Sequence, residues 1–501
     1  MVVEPVSLQQ LLKKLDASLP ATDVMVRGLA LDSRKVTAGD LFLAYPGHQA
    51  DGRAYIGDAV RQGACAIAYE PDGATDAVDG QAGDIPAIAI PDLAAKASRI
   101  AARFYGHPTR KLAMCGITGT NGKTSCCCLL AGALQHISGR AVMMSTVGNG
   151  IPGQLEASVN TTPDAISVQA IAAAGVASGA RYGVMEVSSH GLVQDRVESV
   201  RFHTAIFTNL SHEHLDYHGD MSRYGAAKRR LMLANKLQYA IINADDAYGR
   251  ELLADDAIKA RKFAYSLKTP PAGSDLDNWI WAEDVRYTLR GIQAKLYTPW
   301  GQARLVSPLL GHFNLANLLA VAAALGALFG DIQKWIVGLN AVKAVPGRMQ
   351  QLGGGEQPLV VVDYAHSPDA LEQALKALRQ HSVGNIWCVF GCGGDRDAAK
   401  RPIMGRIAEK LANRLILTDD NPRHESAEGI AGDIRAGLRK PDAAPYIASR
   451  RDAIARAISK ATADDLILVA GKGHEDYQEI DGERRHYSDV ETVLELLGGP
   501  R

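Results

Sequence analysis

The run Gly119-Thr120-Asn121-Gly122-Lys123-Thr124-Ser125 brings two glycines, a lysine and three hydroxyls into seven positions. Glycines let backbone N–H groups approach phosphate oxygens, a lysine neutralises their charge, and a threonine hydroxyl can ligate Mg²⁺. The run follows the apolar residues 112–118 and precedes an apolar helical stretch, the setting a phosphate-binding loop requires. It departs from the general pattern, because Ile117 stands where that pattern has its first glycine. A second glycine pair, Gly391 and Gly393, also follows a strand-like run. There Arg396 occupies the position where a dinucleotide fingerprint needs glycine, so no nicotinamide or flavin is expected.

Glu186 ends another apolar run, 182–187, and a carboxylate at a strand terminus beside a phosphate loop suits Mg²⁺, a hard cation that prefers oxygen. Further on, His212, Glu213, His214, Asp216 and His218 fall within seven positions. Their spacing is not the HExxH of zinc hydrolases; a second Mg²⁺ site or phosphate contacts fit better, and a solvated polar loop is the plain alternative. Two metals beside a triphosphate would suit phosphoryl transfer, in which catalysis rests on positioning and charge neutralisation.

These residues need a scaffold, and the chain has ample length for one. Its 501 residues suggest roughly three domains. Gly106-His107-Pro108 and Pro346-Gly347 are the natural boundaries, giving spans 1–108, 109–346 and 347–501. The first mixes strand-like runs such as 40–44 with turns, and Ser7 with Leu8, Leu11, Leu12 and Leu15 reads as a capped amphipathic helix. In the second, apolar runs at 112–118, 182–187, 204–208 and 239–243 alternate with helices, which predicts a largely parallel sheet. The third repeats that grammar at 359–362, 386–390, 415–418 and 465–470. Polar loops 391–396, 419–423 and 471–475 follow three of those strands, where an open α/β sheet has its ligand crevice.

Lys and Arg total 54 against 55 Asp and Glu, which excludes a nucleic-acid binder working by bulk positive charge. Seven cysteines without a CxxC predict free thiols in a reducing compartment. The first twenty residues lack the basic and apolar regions of a secretory signal. The longest apolar stretch, 315–329, is broken by Asn317 and reads as too short for a membrane span. A cytoplasmic protein without nucleic-acid or membrane partners is expected.

With the motifs assembled, the chain resembles the Mur ligase family along its whole length. The carriers are GTNGKTS at 119–125, EVSSHGL at 186–192, HEHLDYHG at 212–219 and HFNLAN at 312–317 after Gly311. They continue with PGRM at 346–349, DYAHSPD at 363–369 and GDRDAAKRP at 394–402. Asp420-Asn421-Pro422-Arg423 is similar to the motif of the branch that adds meso-diaminopimelate as the third residue of the peptidoglycan stem peptide. The resemblance implies three α/β domains: a uridine-nucleotide module, a P-loop ATPase-like central domain and a Rossmann-like C-terminal domain. It implies an ATP-dependent ligase that converts the D-glutamate carboxylate of UDP-N-acetylmuramoyl-L-Ala-D-Glu to an acyl phosphate, which the amino acid then attacks. The protein is expected to be a monomer, serving cell-wall synthesis and through it cell shape and division.

Site residues carry over as expectations. Gly119, Thr120, Asn121, Gly122, Lys123, Thr124 and Ser125 would hold ATP, with Asn317, Arg348, Asp363 and His366 near its adenine, ribose and phosphates. Thr124 and Glu186 would bind one magnesium; His214 and a carbamylated Lys228 would bind the second. A bare ammonium at 228 would repel two Mg²⁺ ions, whereas a carbamate offers them an anionic oxygen. Lys123, Lys228, His214, Glu186 and Arg348 would form the catalytic set. Leu31, Ser33, His48, Gln49 and Ala50 would contact the uridine nucleotide, and Asn160, Thr161, Thr162, Ser188, Gln194 and Arg196 the muramoyl peptide. Arg396, Asp420, Asn421, Pro422, Arg423, Gly471 and Glu475 would select diaminopimelate. Arg423 would fork its distal carboxylate, and Asp420 or Glu475 would receive its ammonium. Within the superfamily, ligases for D-alanyl-D-alanine or folate polyglutamate are the alternatives; outside it, an ATP-hydrolysing switch.

Overall fold

The computed structural model describes residues 4–15, 23–47, 50–73 and 77–499. Alternation of apolar runs and helices yields three α/β sheets.

The N-terminal sheet has four parallel strands in the order Gly28–Ala30, Asp40–Ala44, Ala66–Tyr69 and Ala87–Ala89. Successive side chains on a strand face opposite ways. Leu41 and Leu43 therefore pack with Leu8, Leu11 and the helix Leu93–Phe104, while Phe42 and Ala44 pack with Ile56 and Ala59 on the other face. The Ser7 hydroxyl caps the first helix by accepting from the Gln10 N–H at 3.2 Å. That helix spans Leu8–Leu12 and stops short of the expected Leu15; Lys14 takes a left-handed φ of 59°, yet Leu15 is still buried.

The central sheet has eleven strands, with Ala113–Thr118 at its heart between Tyr182–Glu186 and Phe202–Phe207. Strands run parallel from Ala141–Ser145 across to Trp279–Thr288. The four runs expected as strands are strands here; 239–243 keeps its bounds and the other three shift by at most two residues. Beyond that expectation lies an antiparallel meander, Trp279–Thr288, Gly291–Thr298 and Gly301–Ser307, which extends the sheet at one end. Side chains along 283–288 alternate half-buried and exposed, which a one-sided sheet surface permits.

Helix His312–Phe329 fills the space beside this sheet. With 18 residues and a mean hydropathy of 1.6 it is long and apolar enough to cross a bilayer, contrary to the expectation from length. Burial distinguishes it instead: 67% of it lies inside the protein, with Leu318, Val321 and Leu325 in one core with Leu130 and Ile241.

The C-terminal sheet orders its strands Gln350–Gly353, Leu359–Asp363, Leu466–Ala470, Ile386–Phe390 and Arg414–Leu417, parallel except for the first. Its last strand in sequence is inserted between earlier ones. The loops 391–396, 419–423 and 471–475 therefore emerge together from the carboxyl ends of three neighbouring strands. Seven free thiols complete the expected cysteine chemistry; five are buried, and Cys65 and Cys128 are half-buried.

Candidate active site

The phosphate loop leaves strand Ala113–Thr118 and enters helix Lys123–Ser138. Gly119 and Gly122 have φ of 148° and 84°, in the range that favours glycine. A Cβ on Gly119 would stand 1.8 Å from the Thr208 hydroxyl, and one on Gly122 would stand 2.7 Å from Asn317 Oδ1. The loop is braced from the neighbouring strand end. Thr208 Oγ1 donates to the Asn121 carbonyl at 2.6 Å, and Asn209 Oδ1 accepts from the Asn121 N–H at 2.9 Å. Neither brace was expected from the sequence; both residues sit at the carboxyl end of strand Phe202–Phe207, and that position is the signal that could have found them.

Two lysines converge on the loop. Lys123 Nζ donates to the carbonyls of Gly119 and Thr120 at 2.9 and 2.6 Å, and Lys228 Nζ donates to the Gly119 carbonyl at 2.8 Å. Lys228 is buried on helix Met221–Met232, 4.2 Å above the Tyr224 ring. Burial, reinforced by the Lys123 charge, pulls its pKa down to about 6, so the amine is largely neutral at pH 7. Burial also lowers Lys123.

Glu186 is fully buried yet well partnered. One carboxylate oxygen accepts from Thr124 Oγ1 at 2.9 Å, the other from Ser145 Oγ at 2.6 Å and the Thr146 N–H at 2.8 Å. Among the described residues no three His, Cys, Asp or Glu side chains converge as a metal cage. Mg²⁺ takes one or two protein carboxylates and fills its shell with water and phosphate. The Thr124–Glu186 pair has that donor set. His214 stands at the start of helix Leu215–His218 with φ of 55°, its ring 5.0 Å from His190 and 6.1 Å from Tyr224.

One cavity of about 290 Å³ joins these parts to the residues expected to contact the muramoyl peptide. Lys123, His214 and Lys228 line it together with Asn160, Thr161, Thr162, Ser188, Gln194 and Arg196. Arg196 is fixed by Gln194 Oε1 at 2.6 Å and the Thr162 carbonyl at 2.7 Å. A neighbouring cavity of about 480 Å³ is lined by Asn121, Gly122, Ser125, Asn317, Arg348 and Asp363. It also takes in Asn243, Asp245 and Tyr265, again loop or strand-end residues that the sequence had not singled out. Burial raises the Asp363 carboxyl, which accepts from the Met349 and Ala365 N–H groups. Arg348 lies 4.6 Å over the Tyr364 ring. His366 is exposed, its Nδ1 within 2.8 Å of the Tyr364 carbonyl, and it lines neither cavity.

In the N-terminal sheet a cavity of about 550 Å³ is lined by Leu31, Ser33, Ala50, Tyr45 and Tyr55; His48 and Gln49 lie outside the described residues. In the C-terminal sheet Asp420, Asn421 and Pro422 are buried, and Gly471, at φ 121°, leaves room where a Cβ would meet Asp420 Oδ2 at 2.3 Å. Asn421 Nδ2 donates to Glu475 at 3.0 Å, and Arg423 Nη1 to the Gly394 carbonyl at 2.8 Å. Arg396 is exposed. Residues 420–423 do not line the two cavities around the phosphate loop.

Comparison with known proteins follows this division. Residues 25–105 match the Mur ligase family catalytic domain, 117–325 the Mur ligase middle domain, and 347–473 the Mur ligase glutamate ligase domain. The chain is 49% identical over 496 residues to UDP-N-acetylmuramoyl-L-alanyl-D-glutamate–2,6-diaminopimelate ligase of Pseudomonas aeruginosa, covering 98% of each chain. It is 48% identical to the protein of that name in Pseudomonas putida, covering 95% of each. A solved structure of a ligase of that name superposes with a TM-score of 0.73 at 36% identity over 99% of both chains. Folylpolyglutamate synthase of Mycobacterium tuberculosis shares the fold at 19% identity and a TM-score of 0.60, over 75% of this chain and 92% of that one. The chain belongs to the Mur ligase family.

Proposed function

We propose that this protein is the ATP-dependent ligase that joins meso-2,6-diaminopimelate to the D-glutamate carboxylate of UDP-N-acetylmuramoyl-L-Ala-D-Glu in the cytoplasm. The observation that carries the reading is the 290 Å³ cavity, where phosphate-loop Lys123 and Lys228 face Thr162, Ser188 and Arg196. A triphosphate on the loop and a peptide carboxylate against Arg196 would meet there. The three spans 1–108, 109–346 and 347–501 would then hold uridine nucleotide, ATP and amino acid respectively, working as a monomer.

In the reaction a carboxylate oxygen attacks the γ-phosphorus and ADP leaves; the amine then attacks the acyl carbon, loses a proton and expels phosphate. Lys123, once its ammonium turns from the loop carbonyls to the phosphates, neutralises charge as the phosphoryl group moves. Asn317 backs the loop, and Arg348, stacked on Tyr364, faces the cavity beside it as a second cation. Glu186 and Thr124 would hold one Mg²⁺, and His214 with carbamylated Lys228 the other; bound, these ions would screen the phosphates and polarise the transferring group. The lowered Lys228 pKa supports carbamylation, because the neutral amine adds CO₂ and releases a proton. His366 would enter only if its loop turned.

Phosphate release should require the nucleotide dipeptide and diaminopimelate together, and should be slow with L-lysine in its place. Rapid ATP hydrolysis without either acceptor would instead mark a nucleotide switch.

A further inference from the structure

Behind the loop 420–423 stand Lys472, Glu479 and Arg484, none of them among the family contacts named above; Lys472 and Glu479 pair with charges that are. Lys472 has a side chain with no exposed surface. Its Nζ donates to Asn421 Oδ1 at 2.9 Å and lies 3.4 Å from Glu475 Oε2 and 3.8 Å from Asp420 Oδ1. Two carboxylates thus face one ammonium, leaving one net negative charge. A few ångströms on, Glu479 stands between two arginines, 3.5 Å from Arg423 Nε and 3.8 Å from Arg484 Nε, leaving one net positive charge.

The two groups are fastened to each other. Asn421 Oδ1 accepts from both Lys472 Nζ and the Glu479 N–H, the latter at 2.9 Å. The hairpin Tyr477–Ile480 and Glu483–His486 is tied to the loop on three further bonds. Gln478 donates to the Asp420 carbonyl at 2.8 Å, the Arg423 N–H to the Glu479 carbonyl at 3.0 Å, and the Asp481 N–H to the Arg423 carbonyl at 2.8 Å. These bonds hold Arg423 at φ 53°, a conformation an isolated arginine rarely adopts.

We propose that Lys472, Glu479 and Arg484 are specificity-determining residues: they trim the amino-acid pocket to one net negative and one net positive charge at fixed spacing. That arrangement complements a substrate end carrying one ammonium and one carboxylate. Without Lys472 the ammonium side would hold two uncompensated carboxylates and favour a cationic end; without Glu479 the carboxylate side would gain positive charge and repel one. Like-charge placement against the wrong ligand is how such a site discriminates. The inference rests on the proposed function, which names diaminopimelate as substrate.

The experiment measures kcat/KM for meso-diaminopimelate and for L-lysine in the intact enzyme and in two variants. Lys472→Met should narrow the diaminopimelate preference by about tenfold, and Glu479→Gln should widen it by about threefold, with the KM for ATP unchanged in both. A purely structural role predicts loss in the same direction for both variants. Shifts of one sign, or an unchanged ratio in both, would overturn the proposal. If Lys472→Met does not fold, Glu479→Gln decides alone: a widened ratio supports it and any other outcome refutes it. Failure of the functional reading is separately visible, because the unaltered enzyme would then already prefer L-lysine or use neither.

Discussion

The phosphate loop and the loop 420–423 hold their charges in opposite ways with the same kinds of residue. At 119–124 the two lysine Nζ atoms donate to backbone carbonyls, and among the described residues neither Lys123 nor Lys228 pairs with a carboxylate that an arriving anion would have to displace. At 420–423 every charge already has a side-chain partner: Arg423 has Glu479, and Lys472 has Glu475 and Asp420. A ligand binds the first site by replacing weak neutral acceptors. It binds the second only if it offers charges as well placed as those it displaces. On the proposed function, the first arrangement would suit a triphosphate and the second would supply selection.

That contrast can be broken in stages. Lys123→Ala should cost most, about a thousandfold in kcat/KM, since it removes the cation that neutralises the moving phosphoryl group; a loss under tenfold would detach it from the chemistry. Lys228→Ala should lose about a hundredfold and recover part with added acetate or formate, which can supply the missing carboxylate oxygens. The same lysine predicts that activation by bicarbonate fades below about pH 6, where the amine is protonated and cannot add CO₂. Arg423→Ala should spare the KM for ATP and reduce the preference for diaminopimelate over L-lysine by about tenfold or more; an unchanged ratio would remove it from selection. Gln478→Ala, which deletes one neutral bond between hairpin and loop, should change that ratio by about fivefold at most.

The legibility of the two sites differs for the same reason. The phosphate loop is contiguous, and strand, glycines, lysine and threonine could all be read in one window. Its braces, Thr208 and Asn209, lie nearly ninety positions away and carry no local signal beyond sitting at a strand end. The strands of the central sheet were legible where both faces are buried and the sequence is apolar, as at residues 240–242. The meander 279–307 was not, because exposed and half-buried side chains interrupt its apolar ones and that polar alternation reads as loop. Lys472 is the clearest loss. A lysine between two glycines reads as solvated, and it is buried because a hairpin that follows it folds over it. His366 is the converse: its motif is plain in the sequence, and in the structure the residue is exposed with Nδ1 beside the Tyr364 carbonyl.

Helix His312–Phe329 has one more consequence, for the order in which the chain is made. A segment this greasy is a hazard while it waits for cover. Every strand of the sheet it packs against, and helix Lys123–Ser138 beside it, precedes it in the sequence. As synthesis runs from the N-terminus, the receiving surface exists before the helix leaves the ribosome. A circular permutant that opened the chain just before residue 312 would reverse that order. It would expose the helix first, and it should aggregate during expression while reaching the same fold when refolded from dilute denaturant.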